Sequence, residues 1–267
     1  MDAYSREKKK QFGQNFLIDV GYIHQIVSLL SPQEGDMIIE IGPGTGALTE
    51  ILLNNAQVLA VEIDHDLITF LQKRFEANAR FRLLAADVLT LAQQDYGDNL
   101  FRWFGNLPYN ISTPFLLSLL DKLPIIKDGL FMVQYEVAMR MIADPGSKDY
   151  GRLSVILQRY FDMDSVLVVP PEAFDPPPKV MSAVVRMLPK KGMQKDSVFD
   201  DLFSRVVSRA FSQRRKMLRK VFASLLGPED WNTIGIDALQ RSENLYISDF
   251  EVLTSYIQRK EIAKDKI

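Results

Sequence analysis

Short apolar runs alternate with amphipathic stretches along residues 20–188, and this pattern predicts an α/β fold. The run at 37–41 is almost wholly apolar and is typical of a buried strand. Apolar residues recur at helical spacing before it, at 21–30, and after it, at 66–78. Further strands are predicted at 57–63, 81–86, 100–104, 129–134, 165–169 and 182–188. Strands that alternate with helices indicate a mainly parallel, Rossmann-like sheet, here of seven strands.

The pattern changes after residue 189. Residues 189–197 are polar and are predicted to form a linker. Beyond them, helical periodicity dominates at 198–211, 214–226 and 250–260, with a short helical turn at 236–239. We therefore divide the chain into a first domain, residues 1–190, and a small all-α domain, residues 191–267.

Two loops interrupt the first domain. Residues 144–151 form a polar loop whose motion the sequence leaves open. Residues 170–179 contain too many prolines for a regular element and are predicted to be extended. Phe174 is the large apolar residue of this second loop, and it either packs into the core or stacks on a base.

A glycine-rich loop, Gly42-Pro43-Gly44-Thr45-Gly46, lies between the first strand and a helix beginning at Ala47. Glycines let a backbone approach a ligand, and a helix N-terminus offers free N–H groups. The spacing of Gly42, Gly44 and Ala47 also satisfies a dinucleotide fingerprint, and a tight turn would use the same residues. The strand-to-helix setting favours a ligand loop.

Acidic residues end the next two strands. Glu62 lies 20 residues beyond Gly42, where a carboxylate suits the two hydroxyls of a ribose. A capping or surface role is the alternative, and Asp64 competes with Glu62 for the ribose. Asp87 could accept a hydrogen bond from the amino group of an adenine, with Val88 lining the ring.

The segment Asn106-Leu107-Pro108-Tyr109 follows the fourth predicted strand and precedes a helix. The exocyclic amine of a base is a poor nucleophile, because its lone pair is delocalised into the ring. Two acceptors would free that lone pair by holding the amine's hydrogens: the Asn106 side-chain oxygen and a backbone carbonyl of Leu107 or Pro108. Tyr109 could stack on the extruded base. The alternative is an ordinary turn with Tyr109 packed at its rim.

Composition is that of a globular protein, with 47% hydrophobic and 25% charged residues among 267. The chain has no Cys and only two His, His24 and His65, so we expect neither a metal site nor a His-based triad. We expect no signal peptide, since the first residues are polar and basic, and no apolar run of membrane-spanning length. These features predict a cytoplasmic protein.

Basic residues cluster although the net charge is −2. Residues 205–220 hold seven basic side chains and no acidic one, and residues 179–195 hold five more without an acid. Such runs are typical of a phosphate-binding surface. The alternative is a solvated face that acids elsewhere in space balance.

These motifs together resemble the small-subunit ribosomal RNA adenine dimethyltransferases, the KsgA/RsmA family. The similarity covers nearly the whole length, and the stretches that carry it are Phe12–Leu17, Glu40–Gly46, Val61–Asp64, Asp87, Asn106–Tyr109, Phe174–Val180 and Phe211–Lys216.

The resemblance implies a class I fold for methyltransferases that use S-adenosylmethionine (SAM), with the seventh strand antiparallel. It implies N6,N6-dimethylation of two adjacent adenosines near the 3′ end of 16S rRNA in the small (30S) ribosomal subunit, and a role in ribosome biogenesis. We expect a monomer with no membrane partner. The implied SAM contacts are Asn15, Leu17, Gly42, Gly44, Glu62, Ile63, Asp87, Val88 and Asn106. The implied adenine contacts are Asn106, Leu107, Pro108, Tyr109 and Phe174. The implied RNA contacts are Arg214, Arg215, Lys216, Arg219 and Lys220.

Other functions remain open at this stage. The related 23S rRNA adenine methyltransferases of antibiotic resistance share these motifs, although the match at both ends of the chain favours the small-subunit type. A mainly non-catalytic assembly factor would use the basic residues alone. A DNA adenine methyltransferase usually has Asp where this chain has Asn106. An NAD enzyme would explain the glycine loop but not Asn106–Tyr109.

Overall fold

Seven strands form one sheet in the computed structural model, which describes residues 15–193 and 196–264. The strands in chain order are β1 (Phe16–Leu17), β2 (Met37–Ile41), β3 (Gln57–Glu62), β4 (Phe81–Ala85), β5 (Phe101–Asn106), β6 (Ile126–Gln134), β7 (Phe161–Val169), β8 (Phe174–Asp175) and β9 (Ser182–Pro189). The sheet order is β4-β3-β2-β5-β6-β9-β7, and β1 pairs separately with β8. Strands β2 to β6 run parallel to their neighbours, whereas β9 is antiparallel to β6. The predicted mainly parallel sheet is thus confirmed.

Helices connect these strands and make up the C-terminal part. They are α1 (Val20–Leu30), α2 (Ala47–Leu52), α3 (His65–Phe75), α4 (Ser112–Ser118), α5 (Tyr135–Met141), α6 (Arg152–Tyr160), α7 (Ser197–Ser212), α8 (Leu218–Val221), α9 (Pro228–Ile234) and α10 (Ile247–Lys264). Short 3₁₀ helices lie at Gln93–Asp95, Leu119–Ile125, Pro171–Ala173 and Ser242–Asn244. In the part of the chain that the structure describes, no helix combines the length and hydrophobicity needed to cross a membrane.

The parallel strands bring the candidate site residues to one edge of the sheet. The glycine loop follows β2, Glu62 ends β3, Asp87 comes just after β4, and Asn106 ends β5. The carboxyl ends of neighbouring parallel strands lie side by side, which is where α/β sheets bind ligands. Strand β5 was predicted to end at residue 104 but continues to Asn106, whose backbone pairs with that of Met132 on β6. Asn106 is therefore held by the sheet itself.

The chain divides into two compact units that differ from the predicted domains. The first unit holds residues up to Ala138 together with 162–190, and the second holds 139–161 together with the residues from Lys191. One boundary between the units lies at the predicted position, 190/191, whereas residues 139–161, predicted in the first domain, belong to the second unit. The physical reason is that α6 buries its apolar face against α7 and α10, which follow it by many residues.

The polar loop at 144–151 is anchored within the second unit. Tyr150 is fully buried, and its hydroxyl donates to the Leu245 carbonyl oxygen at 2.9 Å. The Gly146 N–H donates to the Glu243 carbonyl oxygen at 2.7 Å. A polar sequence therefore forms a fixed connection here, because its backbone finds partners near the 3₁₀ helix Ser242–Asn244.

The predicted helix at 214–226 is wrong for most of its length. Helix α7 ends at Ser212, and only the four residues of α8 are helical in the segment that follows. The N–H groups of Leu218 and Arg219 donate instead to the carbonyl oxygens of Gln240 and Ala238, at 2.9 and 3.0 Å. The predicted turn at 236–239 is likewise not helical, and α9 lies just before it.

An ion-pair network joins the start of the sheet to the end of α1. The guanidinium of Arg102 on β5 contacts carboxylate oxygens of Asp36 and Asp128, each at 2.8 Å. It also donates to the carbonyl oxygen of Leu30 at 2.6 Å. Burial raises the pKa of Asp36, but hydrogen bonds from Gln33, Lys127 and Arg102 outweigh it and hold the pKa at about 2.

We expect Arg102→Ala to lower the free energy of unfolding by roughly 3 kcal/mol, because it leaves two partly buried carboxylates without their shared counter-charge. Urea denaturation at neutral pH measures this loss. Arg82→Ala is the matched control, since Arg82 is an exposed strand arginine, and it should change stability by no more than about 0.5 kcal/mol. Equal losses in the two variants would contradict the assigned role of the network.

Candidate active site

A cavity of about 270 Å³ lies at the carboxyl edge of β2, β3, β4 and β5. Its lining residues come from the segment before β1, the glycine loop, the ends of these strands and the segment after β5. They are Asn15, Phe16, Ile41, Gly42, Gly44, Val61, Glu62, Ile63, Ala86, Asp87, Val88, Asn106, Leu107, Pro108, Tyr109, Asn110 and Ile111. Most predicted ligand contacts therefore surround one space. Within residues 15–193 and 196–264, no group of three or more acidic or histidine side chains is arranged to hold a metal ion.

The glycine loop has a backbone conformation and a close packing contact that side chains at its glycine positions would disturb. Gly42 and Gly44 have φ values of +64° and +60°, in the left-handed region that favours glycine. A Cβ at Gly44 would also lie 2.8 Å from a ring carbon of Phe16. Gly44 therefore allows the Phe16 ring to pack directly on the loop and to form a wall of the cavity.

Among the described residues, one carboxylate oxygen of Glu62 finds no hydrogen-bond donor. Its Oε1 accepts hydrogen bonds from the N–H groups of Ile63 and Asp64, at 2.9 and 3.0 Å. Its Oε2 is buried, and none of the described residues donates a hydrogen bond to it. Burial raises the pKa of Glu62, although the backbone N–H groups partly offset this. The site thus holds a carboxylate with a free acceptor that gains from a hydrogen-bond donor.

Asp87 follows β4 and lines the same cavity. Its Oδ1 accepts a hydrogen bond from the Leu89 N–H at 2.9 Å, which fixes the carboxylate in a turn. Val88 beside it is buried and contributes an apolar surface to the cavity wall. This pairing of a fixed carboxylate with an apolar wall is consistent with the predicted recognition of an adenine ring.

The side-chain amide of Asn106 is held in one orientation. Its Nδ2 donates to the backbone carbonyl oxygen of Asn15 at 3.0 Å. A carbonyl oxygen only accepts hydrogen bonds, so the amide nitrogen must face Asn15. The amide oxygen, Oδ1, is left as a hydrogen-bond acceptor, and Asn106 lines the cavity.

The two backbone carbonyls after Asn106 differ in their availability. The Pro108 carbonyl oxygen accepts from the Ile111 N–H at 3.1 Å and from the Ser112 hydroxyl at 3.0 Å. The Leu107 N–H donates to the Met132 carbonyl oxygen at 3.0 Å, which fixes the Asn106–Leu107 peptide to the sheet. No hydrogen bond to the Leu107 carbonyl oxygen is found among the described residues. The sequence left Leu107 and Pro108 open as the second acceptor, and these contacts favour Leu107.

Tyr109 is half-buried at the rim of the cavity. Its phenol oxygen lies 3.1 Å from the hydroxyl oxygen of Ser182 on β9. Burial raises the pKa of Tyr109, and the hydrogen bond with Ser182 partly offsets that rise. The ring is therefore neutral and anchored at its outer end.

Two predicted site residues lie outside the cavity. Leu17 is buried in the hydrophobic core, and its neighbour Phe16 faces the cavity instead, since successive residues of an extended segment point to opposite sides. Phe174 is only 3% exposed and packs in the same core, where β8 pairs with β1. The core-packing alternative for Phe174 is thus the observed one. The motif residues Phe12–Gln14 lie outside the described residues.

In the basic run at 205–220, some side chains bond to other residues of the chain, and others are exposed. Arg214 makes an ion pair with Glu243 at 2.6 Å and donates to the Ser147 carbonyl oxygen at 3.1 Å. Arg209 donates to the Val221 carbonyl oxygen at 3.0 Å. The predicted RNA contacts that are exposed are Arg215, Lys216, Arg219 and Lys220.

Sequence reasoning missed Arg241, which lies beside this exposed group. Met217 and Arg241 form an antiparallel bridge, and Arg241 is exposed. Its distance of more than 20 positions from the basic run hid this proximity. We name the exposed residues Arg215, Lys216, Arg219, Lys220 and Arg241 the basic surface.

A second buried acid, Glu40 on β2, lies behind the glycine loop. It is almost fully buried, and its Oε2 accepts a hydrogen bond from the Thr49 hydroxyl at 2.7 Å. Burial raises the pKa of Glu40 from 4.5 to about 7, and the nearby charge of Glu62 acts in the same direction. Glu40 is not a lining residue of the cavity, and its bond to Thr49 ties β2 to α2, the helix that follows the glycine loop.

Comparison with known proteins gives one consistent family. The family model described as ribosomal RNA adenine dimethylase matches residues 5–259. A protein of Thiobacillus denitrificans named "Ribosomal RNA small subunit methyltransferase A" is 51% identical over 250 residues, which are 93% of this chain and 97% of that protein. The protein of the same name from Nitrosospira multiformis is 46% identical over 252 residues, which are 94% of this chain and 96% of that protein.

Solved structures share the fold. A dimethyladenosine transferase from Plasmodium falciparum superposes with a TM-score of 0.80 at 26% identity, covering 92% of this chain and 98% of that chain. The 23S rRNA methyltransferase ErmE superposes with a TM-score of 0.71 at 23% identity, covering 91% of this chain and 100% of that chain. At that level of identity the second likeness concerns the fold alone.

We expect Glu40→Gln to flatten the pH dependence of stability. With its pKa raised from 4.5 to about 7 in the folded chain, Glu40 favours folding at low pH, and this contribution is lost as the pH rises through 7. Between pH 5 and 8 the free energy of unfolding of the wild type should therefore fall by roughly 3 kcal/mol more than that of the variant.

Denaturant melts at several pH values measure this difference. Glu34→Gln is the control, because Glu34 is exposed and its replacement should leave the pH profile unchanged. Parallel profiles for the wild type and Glu40→Gln would contradict the assignment.

Proposed function

The chain belongs to the ribosomal RNA adenine dimethylase family, and we propose that it dimethylates the N6 amines of two adjacent adenosines near the 3′ end of 16S rRNA. It is a methyltransferase that uses SAM as its methyl donor. The single observation that carries the proposal is that Asn106, with its amide nitrogen turned to Asn15, and Leu107 both line the cavity, and these residues offer the Asn106 Oδ1 and the Leu107 carbonyl oxygen as acceptors.

The cavity residues fit SAM. The buried Oε2 of Glu62 has no donor within the described part of the chain, and the hydroxyls of a ribose would supply one. Asp87 and Val88 offer an acceptor and an apolar wall for the adenine ring, with Ile63 beside them. The glycine loop leaves room for the ligand, since Gly42 and Gly44 bring backbone but no side chains to the cavity. When bound, the sulfonium of SAM supplies an activated methyl group.

The chain's own contribution to the chemistry is to orient the target amine. The Asn106 Oδ1 and the Leu107 carbonyl oxygen each accept one N–H of the adenine amine, which directs its lone pair away from the ring. The first acceptor is fixed before the substrate arrives by the bond of its amide to Asn15, and the peptide that precedes the second acceptor is held by Met132. Fixed geometry of this kind lowers the entropic part of the barrier. Asn106 is not a base, so the proton leaves to solvent.

Tyr109 supports the target base from one side. Its ring follows directly after the two acceptors and lines the same cavity. Stacking on an aromatic ring is the usual way in which enzymes hold a base that has left its helix. Because Phe174 is buried in the core, we assign the stacking role to Tyr109 alone.

The basic surface binds the RNA backbone. Its five residues are exposed, and the segment between residues 205 and 220 has no acidic side chain. Phosphate contacts of this type position the RNA, while the cavity selects the base. Arg214 is excluded from this role, because its guanidinium is engaged with Glu243.

The small-subunit assignment rests on the names of the relatives. The two proteins from Thiobacillus denitrificans and Nitrosospira multiformis are both named for the small subunit. We accordingly propose that this chain acts as a monomer on the 30S subunit in the cytoplasm and takes part in ribosome biogenesis.

We expect Asn106→Ala to reduce methyl transfer by roughly 100-fold or more, since it removes one acceptor and frees the Asn15 carbonyl. The assay incubates protein and SAM with small subunits that lack the modification, digests the RNA and quantifies dimethyladenosine by mass spectrometry. Asn110→Ala is the matched control, an exposed asparagine that also lines the cavity, and it should lose far less activity.

The same assay separates the competing functions. Saturable binding of the wild type to the subunits without product would favour an assembly factor. Product on 23S rRNA but not on small subunits would favour the large-subunit type of enzyme. Full activity in Asn106→Ala would refute the role of the amide.

We expect the double variant Arg215→Ala and Lys216→Ala to bind RNA more weakly and with a salt slope reduced by about 1 to 2, because each lost phosphate contact reduces counterion release. Filter binding at several salt concentrations measures the slope, and SAM affinity should not change. Lys73→Ala is the control, an exposed basic residue on α3. An affinity and slope equal to the wild type would contradict the basic surface.

A further inference from the structure

We propose that Ser182 is a positioning residue for the methyl transfer, acting by anchoring the Tyr109 ring in the orientation that receives the target adenine. This inference rests on the proposed function and adds a residue outside the Asn106–Tyr109 segment. The observation that carries it is the hydrogen bond between the Ser182 hydroxyl and the Tyr109 phenol, with 3.1 Å between the oxygens.

Ser182 has a rigid place in the sheet. It is the first residue of β9, and it stands opposite Gln134 at the end of β6 in the antiparallel pairing. Just before it, the Met181 carbonyl oxygen accepts from the Tyr135 N–H at 2.9 Å. Ser182 is only 1% exposed. A buried hydroxyl on a paired strand has few orientations, so it is a fixed reference point.

Tyr109, in contrast, has no regular element to hold it. It lies after the end of β5 and before the start of α4. The backbone just before Tyr109 is fixed, since the Leu107 N–H donates to Met132 and the Pro108 carbonyl oxygen accepts from the Ser112 hydroxyl. Neither contact restrains the rotation of the tyrosine side chain. The Ser182 hydroxyl supplies that restraint at the far end of the ring.

The restraint matters because stacking depends on the tilt of the ring. A half-buried tyrosine that rotates freely must be ordered each time a base enters, which costs side-chain entropy. A ring that is ordered beforehand offers its face to the base at no such cost. The hydroxyl of a buried serine also needs a partner, so the two groups satisfy each other. Loss of either hydroxyl leaves the other unpaired or the ring untethered.

The test is steady-state methylation of small subunits by the wild type, Ser182→Ala, Tyr109→Phe and the double variant. Ser182→Ala should lower kcat/KM for the RNA by about 5- to 10-fold, the effect of one lost hydrogen bond, while SAM affinity and the melting temperature stay near wild type. In the Tyr109→Phe background the same change should alter kcat/KM by less than about 2-fold, since the bond is already gone. Ser182→Thr, which keeps the hydroxyl, should recover most of the activity.

Ser118→Ala is the control, because Ser118 is a part-buried serine whose hydroxyl bonds only to the Phe115 carbonyl oxygen among the described residues. Equal kcat/KM for Ser182→Ala and the wild type overturns the positioning role and leaves the proposed function intact. An additive loss in the double variant overturns it as well. A wild type that methylates no RNA overturns the proposed function and this inference together.

Discussion

The orientation of one side-chain amide governs how the site works. Asn106 can present either an acceptor or a donor to the cavity, and only the acceptor suits an adenine amine. The bond from Nδ2 to the Asn15 carbonyl oxygen makes that choice. It requires that the segment before β1 lies against the end of β5, which in turn requires Gly44 to admit the Phe16 ring. The glycine loop therefore serves the substrate side of the cavity as well as the donor side.

Much of this arrangement could be predicted from the sequence, because it follows from local patterns. Apolar runs separated by helical spacing predict parallel strands, and parallel strands place their carboxyl ends together. Glu62, Asp87 and Asn106 each stand at or just beyond a strand end, so their proximity followed from the strand assignment alone. The family resemblance added the chemistry, and the structure brings these residues around one cavity.

Sequence patterns were insufficient where contacts between distant positions of the chain decide the outcome. Leu17 and Phe174 are apolar residues in irregular segments, and only the pairing of β1 with β8 shows that both side chains enter the core. Arg214 belongs to a basic run, yet an acid 29 positions later neutralises it. The region at 214–226 has helical periodicity, but its backbone finds partners at 238–240 and forms only a short helix. No local pattern contains this information.

The two acceptors have a consequence for the products. An unmethylated adenine amine has one N–H for each acceptor, whereas a monomethylated amine has only one N–H in total. The Asn106 amide is tied to the Asn15 carbonyl oxygen, and the peptide before the Leu107 carbonyl is tied to Met132, which restricts how far the acceptors can turn to compensate. The monomethylated adenine is thus held by one hydrogen bond fewer than the unmethylated adenine. The yield of mono- relative to dimethyladenosine then reports how well stacking retains that base between the two transfers.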